Sequence, residues 1–240
     1  MSTSNPESDN LAFERIRSNW QHVVREVTDA ARQSGRDPGS VRIIGVSKYV
    51  GVEQTAMLVQ AGCHDLAESR PQALWQKADA LPQKPPIAWH MIGHVQTNKL
   101  RRLLRYRPLI HSVDSERLLR AIDRESKRED RVSEVLMEVN ISEDPNKTGL
   151  SITETRSLLE LDDLASVRIV GLMAMAGWGT DAEQAADQFR AVAALRDQIQ
   201  AESGRQLPEL SMGMSGDFRE AIAAGATMVR IGSALFEGVR

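Results

Sequence analysis

The stretch Val41-Arg-Ile-Ile-Gly-Val-Ser-Lys48 decides the fold of this chain. Its apolar, largely β-branched residues form a nearly continuous run, and a helical pattern follows within a few residues. Such a run is typical of a strand buried on both faces of a parallel sheet. The run ends on Lys48, and a partly desolvated lysine amine is a nucleophile that can form a Schiff base with an aldehyde. This stretch alone leaves a second interpretation open, in which Lys48 is a surface residue just past a strand.

The alternation of strand and helix signals continues to the end of the chain. Seven further strands are predicted at residues 64–68, 87–93, 109–113, 132–140, 167–176, 207–212 and 228–232. Helical patterns separate them, at residues 52–61, 71–80, 98–106, 115–127, 153–161, 181–202 and 217–224. Eight β/α units are the number in a (β/α)8 TIM barrel, which typically takes ~250 residues. A doubly wound open sheet is the alternative that strand number leaves open.

The domain organisation follows from the same pattern. An extra N-terminal helix is predicted from apolar residues that recur between Phe13 and Ala31, with Gly35 as its stop. We expect the polar residues 1–9 to be disordered. Because no linker or change in composition interrupts the rest, residues 10–240 are predicted to be one barrel domain.

Composition restricts the classes of function. The 240 residues are 41% hydrophobic and carry a formal net charge of -3, so no overall basic field favours nucleic acid. The basic run from Lys99 to Arg107 is interpreted as a solvated helix face. The single cysteine, Cys63, allows no internal disulfide and indicates a reducing compartment. With no signal-peptide pattern and no apolar stretch near the ~20 residues of a membrane helix, we expect a cytoplasmic protein that binds no membrane.

Three segments place reactive groups at the carboxyl ends of the barrel strands, where TIM barrels carry their active sites. Lys48 follows the first strand, Ser211-Met-Gly-Met-Ser-Gly-Asp217 spans the end of the seventh, and Arg230-Ile-Gly-Ser233 spans the end of the eighth. The late segments offer small residues, hydroxyls and backbone N–H groups, which can bind an anion. Singly, their glycines could be turn residues and Ser215 only a helix cap. Together, an imine-forming lysine beside an anion site suits a phosphorylated aldehyde such as pyridoxal 5'-phosphate (PLP).

Seven segments resemble the PLP homeostasis protein family, whose barrel is similar to the N-terminal domain of alanine racemase. They span nearly the whole chain in family order. In sequence they are Gly45-Val-Ser-Lys48, Trp89-His-Met-Ile-Gly-His-Val-Gln-Thr-Asn-Lys99, His111-Ser-Val-Asp-Ser115, Val139-Asn-Ile-Ser-Glu-Asp-Pro-Asn-Lys-Thr-Gly149, Gly171-Leu-Met173, Leu210-Ser-Met-Gly-Met-Ser215 and Val229-Arg-Ile-Gly-Ser-Ala-Leu-Phe236.

The resemblance implies a set of cofactor contacts. PLP is expected as a Schiff base on Lys48, and its phosphate on Ser215, Gly232 and Ser233 with backbone help near Met212. The resemblance also places Arg230 at the pyridine nitrogen. Because arginine cannot accept that nitrogen's proton, the nitrogen stays neutral and carbanion chemistry is weakly supported.

The chain departs from the family pattern on the expected cofactor rim. Ala67-Glu-Ser69 replaces the usual glycine-glutamate-asparagine stretch, and Gly177-Trp-Gly-Thr180 is an unusual loop in which Trp178 could cover the pocket. Lys99 and Lys147 are alternative positions for an imine. His90 and His94 have a spacing that could bind a metal, but the chain passes from strand to turn between them, so we expect no metal site.

Three functions are compared. The first is a PLP carrier, a monomer that supplies apo PLP-dependent enzymes and has no catalytic residues of its own. The second is a PLP-dependent amino-acid racemase, which needs acid/base groups on both faces of the substrate carbon. Of the two tyrosines, Tyr49 follows the lysine directly and is poorly placed for the opposite face. The third is a sugar-phosphate enzyme without PLP, with Glu68 or Glu138 as base. The sequence favours the carrier.

Overall fold

Eight parallel strands close into a barrel. In this computed structural model, which describes residues 6–82, 84–142, 148–177 and 179–239, each strand pairs with the next and the eighth pairs with the first. The strands are β1 (Arg42–Val46), β2 (Asp65–Glu68), β3 (Ala88–Met91), β4 (Leu109–Val113), β5 (Ser133–Glu138), β6 (Val167–Met173), β7 (Glu209–Met214) and β8 (Met228–Ile231). The predicted (β/α)8 barrel is confirmed. The open-sheet alternative is wrong, because β1 and β8 are hydrogen-bonded neighbours.

Helices surround the barrel. They are α1 (Pro6–Gln33), α2 (Val52–Gln60), α3 (Pro71–Ala80), α4 (Leu100–Leu103), α5 (Glu116–Arg128), α6 (Ile152–Leu159), α7 (Ala182–Ser203) and α8 (Phe218–Ala223). Short 3₁₀ turns occur at Pro38–Ser40, Thr97–Lys99, Leu104–Tyr106 and Ser233–Phe236. The helix predicted at residues 98–106 is therefore α4 between two 3₁₀ turns. It ends where Arg107 takes a left-handed conformation (φ 50°) before Pro108, a position where a proline disfavours continued helix.

Helix α1 is the predicted extra N-terminal helix, and it begins earlier than expected. It includes residues 6–9, so the prediction that these residues are disordered is wrong; residues 1–5 lie outside the described part of the chain. The physical reason is a good helix start, since proline is tolerated in a first turn and the acidic Glu7 and Asp9 complement the helix dipole. At the other end, Gly35 (φ 68°) terminates the helix as predicted.

Side-chain alternation divides the apolar residues into two layers. The larger core lies between the strands and the helices, and each large side chain buried there contributes roughly 1.5–3 kcal/mol. Two smaller clusters fill the inside of the barrel: Ile44, Val46, Ala67 and Met228 in one, and Leu136, Val170 and Met173 in the other. Polar side chains share this interior at other levels.

The closure of the barrel positions the ends of β1, β7 and β8 side by side. Ile44 of β1 is the register partner of Arg230 in β8, and Met214 of β7 is its partner on the other side. No helix in the described residues has the length and apolar character needed to cross a bilayer.

Candidate functional site

Lys48 lies at the carboxyl end of the barrel, two residues past the end of β1. Its side chain is half-buried in a turn, and its ammonium lies 4.9 Å from the ring centre of Tyr49. Within the described ranges no carboxylate forms an ion pair with this ammonium. The position agrees with the predicted rim location. A lysine without a carboxylate partner keeps its amine available for chemistry.

A buried ion pair fixes the residue that precedes Lys48. The Lys77 ammonium, on α3, donates to the backbone oxygen of Ser47 at 2.7 Å and pairs with the Glu68 carboxylate. The Ser47 hydroxyl donates to the same carboxylate at 2.9 Å. All three side chains are buried, and one oxygen of Glu68 has no hydrogen-bond partner among the described residues. Glu68 therefore binds Ser47 and Lys77, which argues against it as the base of the sugar-phosphate alternative, for which Glu138 was the other candidate.

Arg230 is a buried cation held by neutral groups. Its guanidinium donates to the backbone oxygen and the hydroxyl of Ser211, both at 2.7 Å, and to the backbone oxygen of Ala174 at 3.0 Å. Burial lowers its pKa to about 10, while the charges of Asp217 and Glu138 act in the opposite direction. The side chain therefore stays protonated at neutral pH. A guanidinium has five N–H donors, so three bonds leave two donors without an acceptor in the described residues.

The segments after β7 and β8 contact each other. The Ser215 hydroxyl accepts a hydrogen bond from the Gly232 N–H at 3.3 Å, which joins the two loops. Gly232 also lies against β1, because an added Cβ would meet Val46 at 3.4 Å. Ser233 is exposed and begins the 3₁₀ turn that follows β8, where backbone N–H groups lack partners within the turn. The Met212 side chain is fully buried in the core outside the barrel, so only its backbone is available to a ligand.

Two carboxyl groups face the region of Arg230. Burial raises the pKa of Glu138 above its usual range, although the Thr148 hydroxyl, which donates to it at 2.7 Å, acts in the opposite direction. Burial also raises the pKa of Asp217, whose carboxylate accepts from the Met214 N–H at 2.6 Å and closes the turn after β7. The sequence pattern did not predict that either group lies near Arg230. The signal that could have indicated this was their position at or just after the ends of β5 and β7, at the same end of the barrel as the candidate site.

The two histidines considered for a metal lie in different environments. His90 is inside the barrel and contacts Asp65 and His111, whereas His94 is exposed and contacts Asp114 at 3.0 Å. Lys99 is half-buried in the 3₁₀ turn after β3. Lys147 and Trp178, the other rim candidates, lie outside the described residues.

A cavity of about 790 Å³ opens at the amino end of the strands. Four arginines line it, and three of them are paired with carboxylates: Arg42 with Glu209, Arg131 with Glu129, and Arg168 with Glu134. Residues at this end of a TIM barrel mainly serve stability. We therefore place the functional site at the opposite end, where the amine and the free guanidinium donors lie.

Comparison with known proteins shows the family of the chain. Residues 14–239 match the family described as "Alanine racemase, N-terminal domain". Pyridoxal phosphate homeostasis proteins of Aquifex aeolicus and Synechocystis sp. are 35% and 37% identical to the chain, over 89% and 83% of its length and 94% and 92% of theirs. The solved structure of PipY from Synechococcus elongatus with PLP bound superposes with a TM-score of 0.78 at 31% identity, covering 88% of this chain and 99% of PipY. The chain therefore belongs to the pyridoxal phosphate homeostasis protein family, within the larger family of the alanine racemase N-terminal domain.

Proposed function

We propose that this protein binds PLP as a Schiff base on Lys48 and acts in PLP homeostasis as a carrier without turnover of its own. The observation that carries the proposal is the meeting of three chain segments at one end of the barrel: Lys48 after β1, the Ser215 loop after β7 and the Arg230 strand end in β8. The names of the relatives and the PLP bound to PipY support the same cofactor.

The residues present fit the chemistry of PLP. When bound, PLP supplies an aldehyde that a lysine amine captures reversibly and a pyridine ring that withdraws electrons. Lys48 offers the amine. Arg230 offers donors but no acceptor, so a ring nitrogen beside it would accept a hydrogen bond and remain unprotonated. This arrangement favours holding the cofactor over carbanion chemistry.

The phosphate is assigned to the joined loops after β7 and β8. The Ser215 hydroxyl, the Ser233 N–H and the backbone beside Met212 supply donors without a fixed positive charge, and the Gly232 N–H would exchange its bond to the Ser215 hydroxyl for one to the phosphate. Backbone N–H groups of this kind bind a dianion by hydrogen bonds alone, and no charged side chain is needed to neutralise it.

The racemase alternative finds less support in the tyrosines. Tyr49 is 86% exposed next to Lys48, and Tyr106 lies at the end of a 3₁₀ turn where its hydroxyl donates to Asp79 at 2.7 Å. Neither tyrosine has the buried position, opposite the lysine, that a second acid/base group needs. We propose apo PLP-dependent enzymes as the recipients of the cofactor, and a monomer as the carrying species.

Borohydride reduction tests the proposal. The purified protein is scanned for the visible absorbance of a PLP imine, reduced with borohydride, digested and mapped by mass spectrometry. The modified residue is expected to be Lys48, and Lys48→Ala should lose the absorbance while Lys99→Ala, the matched rim control, keeps it. A reduced adduct on Lys99 or Lys147 in the wild type would refute the assignment to Lys48. Alanine or serine racemisation that depends on Lys48 would overturn the carrier proposal.

A further inference from the structure

A chain of hydrogen bonds crosses the interior of the barrel from Arg230 towards the opposite end. Arg230 donates to the Ser211 hydroxyl at 2.7 Å, and that hydroxyl lies 2.9 Å from Nδ1 of His111. Nε2 of His111 lies 2.9 Å from Nδ1 of His90, whose Nε2 lies 3.1 Å from the Asp65 carboxylate. These four contacts join residues of β8, β7, β4, β3 and β2, so the hydrogen-bond chain connects five of the eight strands.

The direction of donation follows from the chemistry of the groups. Asp65 as a carboxylate can only accept, so His90 donates from Nε2. With His90 neutral, its Nδ1 accepts from Nε2–H of His111, and Nδ1 of His111 accepts the Ser211 hydroxyl proton. Every link is then satisfied, with donation running from Arg230 to Asp65.

The reverse direction leaves a proton unused. If His90 carried both protons, its Nδ1–H would donate to Nε2 of His111, and the proton of His111 would lie on Nδ1. His111 would then donate from Nδ1 to the Ser211 oxygen, which already accepts from Arg230. The Ser211 hydroxyl proton would then need a further acceptor, and the described residues provide none at this site. Because an unmade hydrogen bond in a buried site is costly, the first direction is favoured.

We infer that His111, His90 and Asp65 are positioning residues that act on Arg230 through Ser211. The inference rests on the proposed function, since it assigns Arg230 to the cofactor ring. Arg230 has no ion-paired carboxylate in the described part of the chain, so its orientation depends on neutral acceptors. The hydrogen-bond chain holds one of these acceptors, the Ser211 hydroxyl, in the accepting orientation. A negative charge at Asp65 polarises every link in the same direction, which strengthens the bond to Arg230.

The first test uses the protein without cofactor. Nitrogen-15 NMR of the imidazoles should find His90 and His111 both neutral with the proton on Nε2. Asp65→Asn should move the guanidinium resonances of Arg230, although Asp65 lies at the far end of the barrel. Finding the His111 proton on Nδ1, or Arg230 resonances that are unchanged in Asp65→Asn, would overturn the inference whether or not PLP binds.

The second test measures PLP binding. Ser211→Ala removes the hydroxyl and should weaken PLP binding about tenfold, the expected effect of losing one hydrogen bond to a charged group. It should also change the absorbance spectrum of the bound cofactor, and Ser211→Thr should restore both. Ser126→Ala is the matched control, because Ser126 is a buried serine whose hydroxyl bonds to that of Ser133 at 2.7 Å, outside this chain.

The outcomes separate this inference from the proposed function. If the wild type binds no PLP, the proposed function fails and the NMR result still decides the direction of the chain. If the wild type binds PLP and Ser211→Ala binds it with equal affinity and an unchanged spectrum, the positioning role fails and the carrier function stands. Equal losses of affinity in Ser211→Ala and Ser126→Ala would assign both serines to stability alone.

Discussion

His111 should make the protein less stable in mild acid. It is fully buried, and desolvation, followed by the nearby His90 and Arg230, lowers its pKa well below the usual 6.5. The folded protein therefore keeps His111 neutral where the unfolded chain takes up a proton. Because the unfolded state binds more protons, stability falls as pH falls below 6.5.

The size of the effect follows from proton linkage. A histidine with an unfolded pKa of 6.5 that stays neutral when folded destabilises the protein by about 0.1 kcal/mol at pH 7.5 and about 1.4 kcal/mol at pH 5.5. His111→Gln has no titrating ring, so it loses this dependence while it keeps a polar side chain. The variant should be less stable than the wild type at pH 7.5, because the ring packing is lost at every pH. That difference should shrink by about 1.3 kcal/mol at pH 5.5.

Urea unfolding of the cofactor-free proteins at fixed ionic strength measures both free energies. His22→Gln is the control, because His22 is exposed on α1 and water surrounds its side chain in both states. The control should follow the wild type at both pH values. A gap between the wild type and His111→Gln that stays constant or widens in acid would refute the argument that His111 is neutral in the folded protein.

Two further predictions concern the surroundings of the site. Lys77→Met should destabilise the protein by about 3–5 kcal/mol in thermal or urea unfolding, because it leaves the buried Glu68 carboxylate unpaired. Adding Glu68→Gln should recover part of this loss, and a double variant no better than the single one would contradict the pairing argument. Gly213→Ala should cost about 2–4 kcal/mol, because Gly213 has φ +84° and an added Cβ would lie 2.6 Å from the Ala221 Cβ. Gly216 lies in the turn after β7, and a Cβ added there would meet nothing within 4 Å, so Gly216→Ala should change stability by less than about 0.5 kcal/mol. Equal losses in the two variants would show that the close approach at Gly213 is not what matters.

The sequence predicted most of the fold because its signals are local. Buried strands of a barrel are continuous apolar runs, and the helices between them have clear starts, such as Pro71 at the first position of α3 and Ser115 as the cap of α5. The ends of the strands were predicted less accurately. The apolar run suggested a strand as far as Lys48, but β1 ends at Val46, because the residues of the strand and of the turn that follows are similar in composition.

The interior of the site was harder to predict because it depends on which strands become neighbours. Ser211 and His111 are separated by 100 residues along the chain, and only barrel closure brings their side chains within hydrogen-bond distance. A polar residue in an apolar strand was a visible signal, but it could not identify its partner. The ion pair of Glu68 could not be predicted either, since its partner Lys77 lies on a helix and the sequence pattern does not specify how that helix packs. The cofactor contacts of Lys48 and Ser215 stay predictions.

The pairing of β1 with β8 has a consequence for biosynthesis. The ribosome makes Lys48 well before Arg230, yet Lys48 follows β1 and Arg230 lies in β8, which is the neighbour of β1 in the finished barrel. A nascent chain thus contains the Lys48 amine long before β8 has been made. A pocket that needs both segments can form only once β8 has been synthesised and has paired with β1.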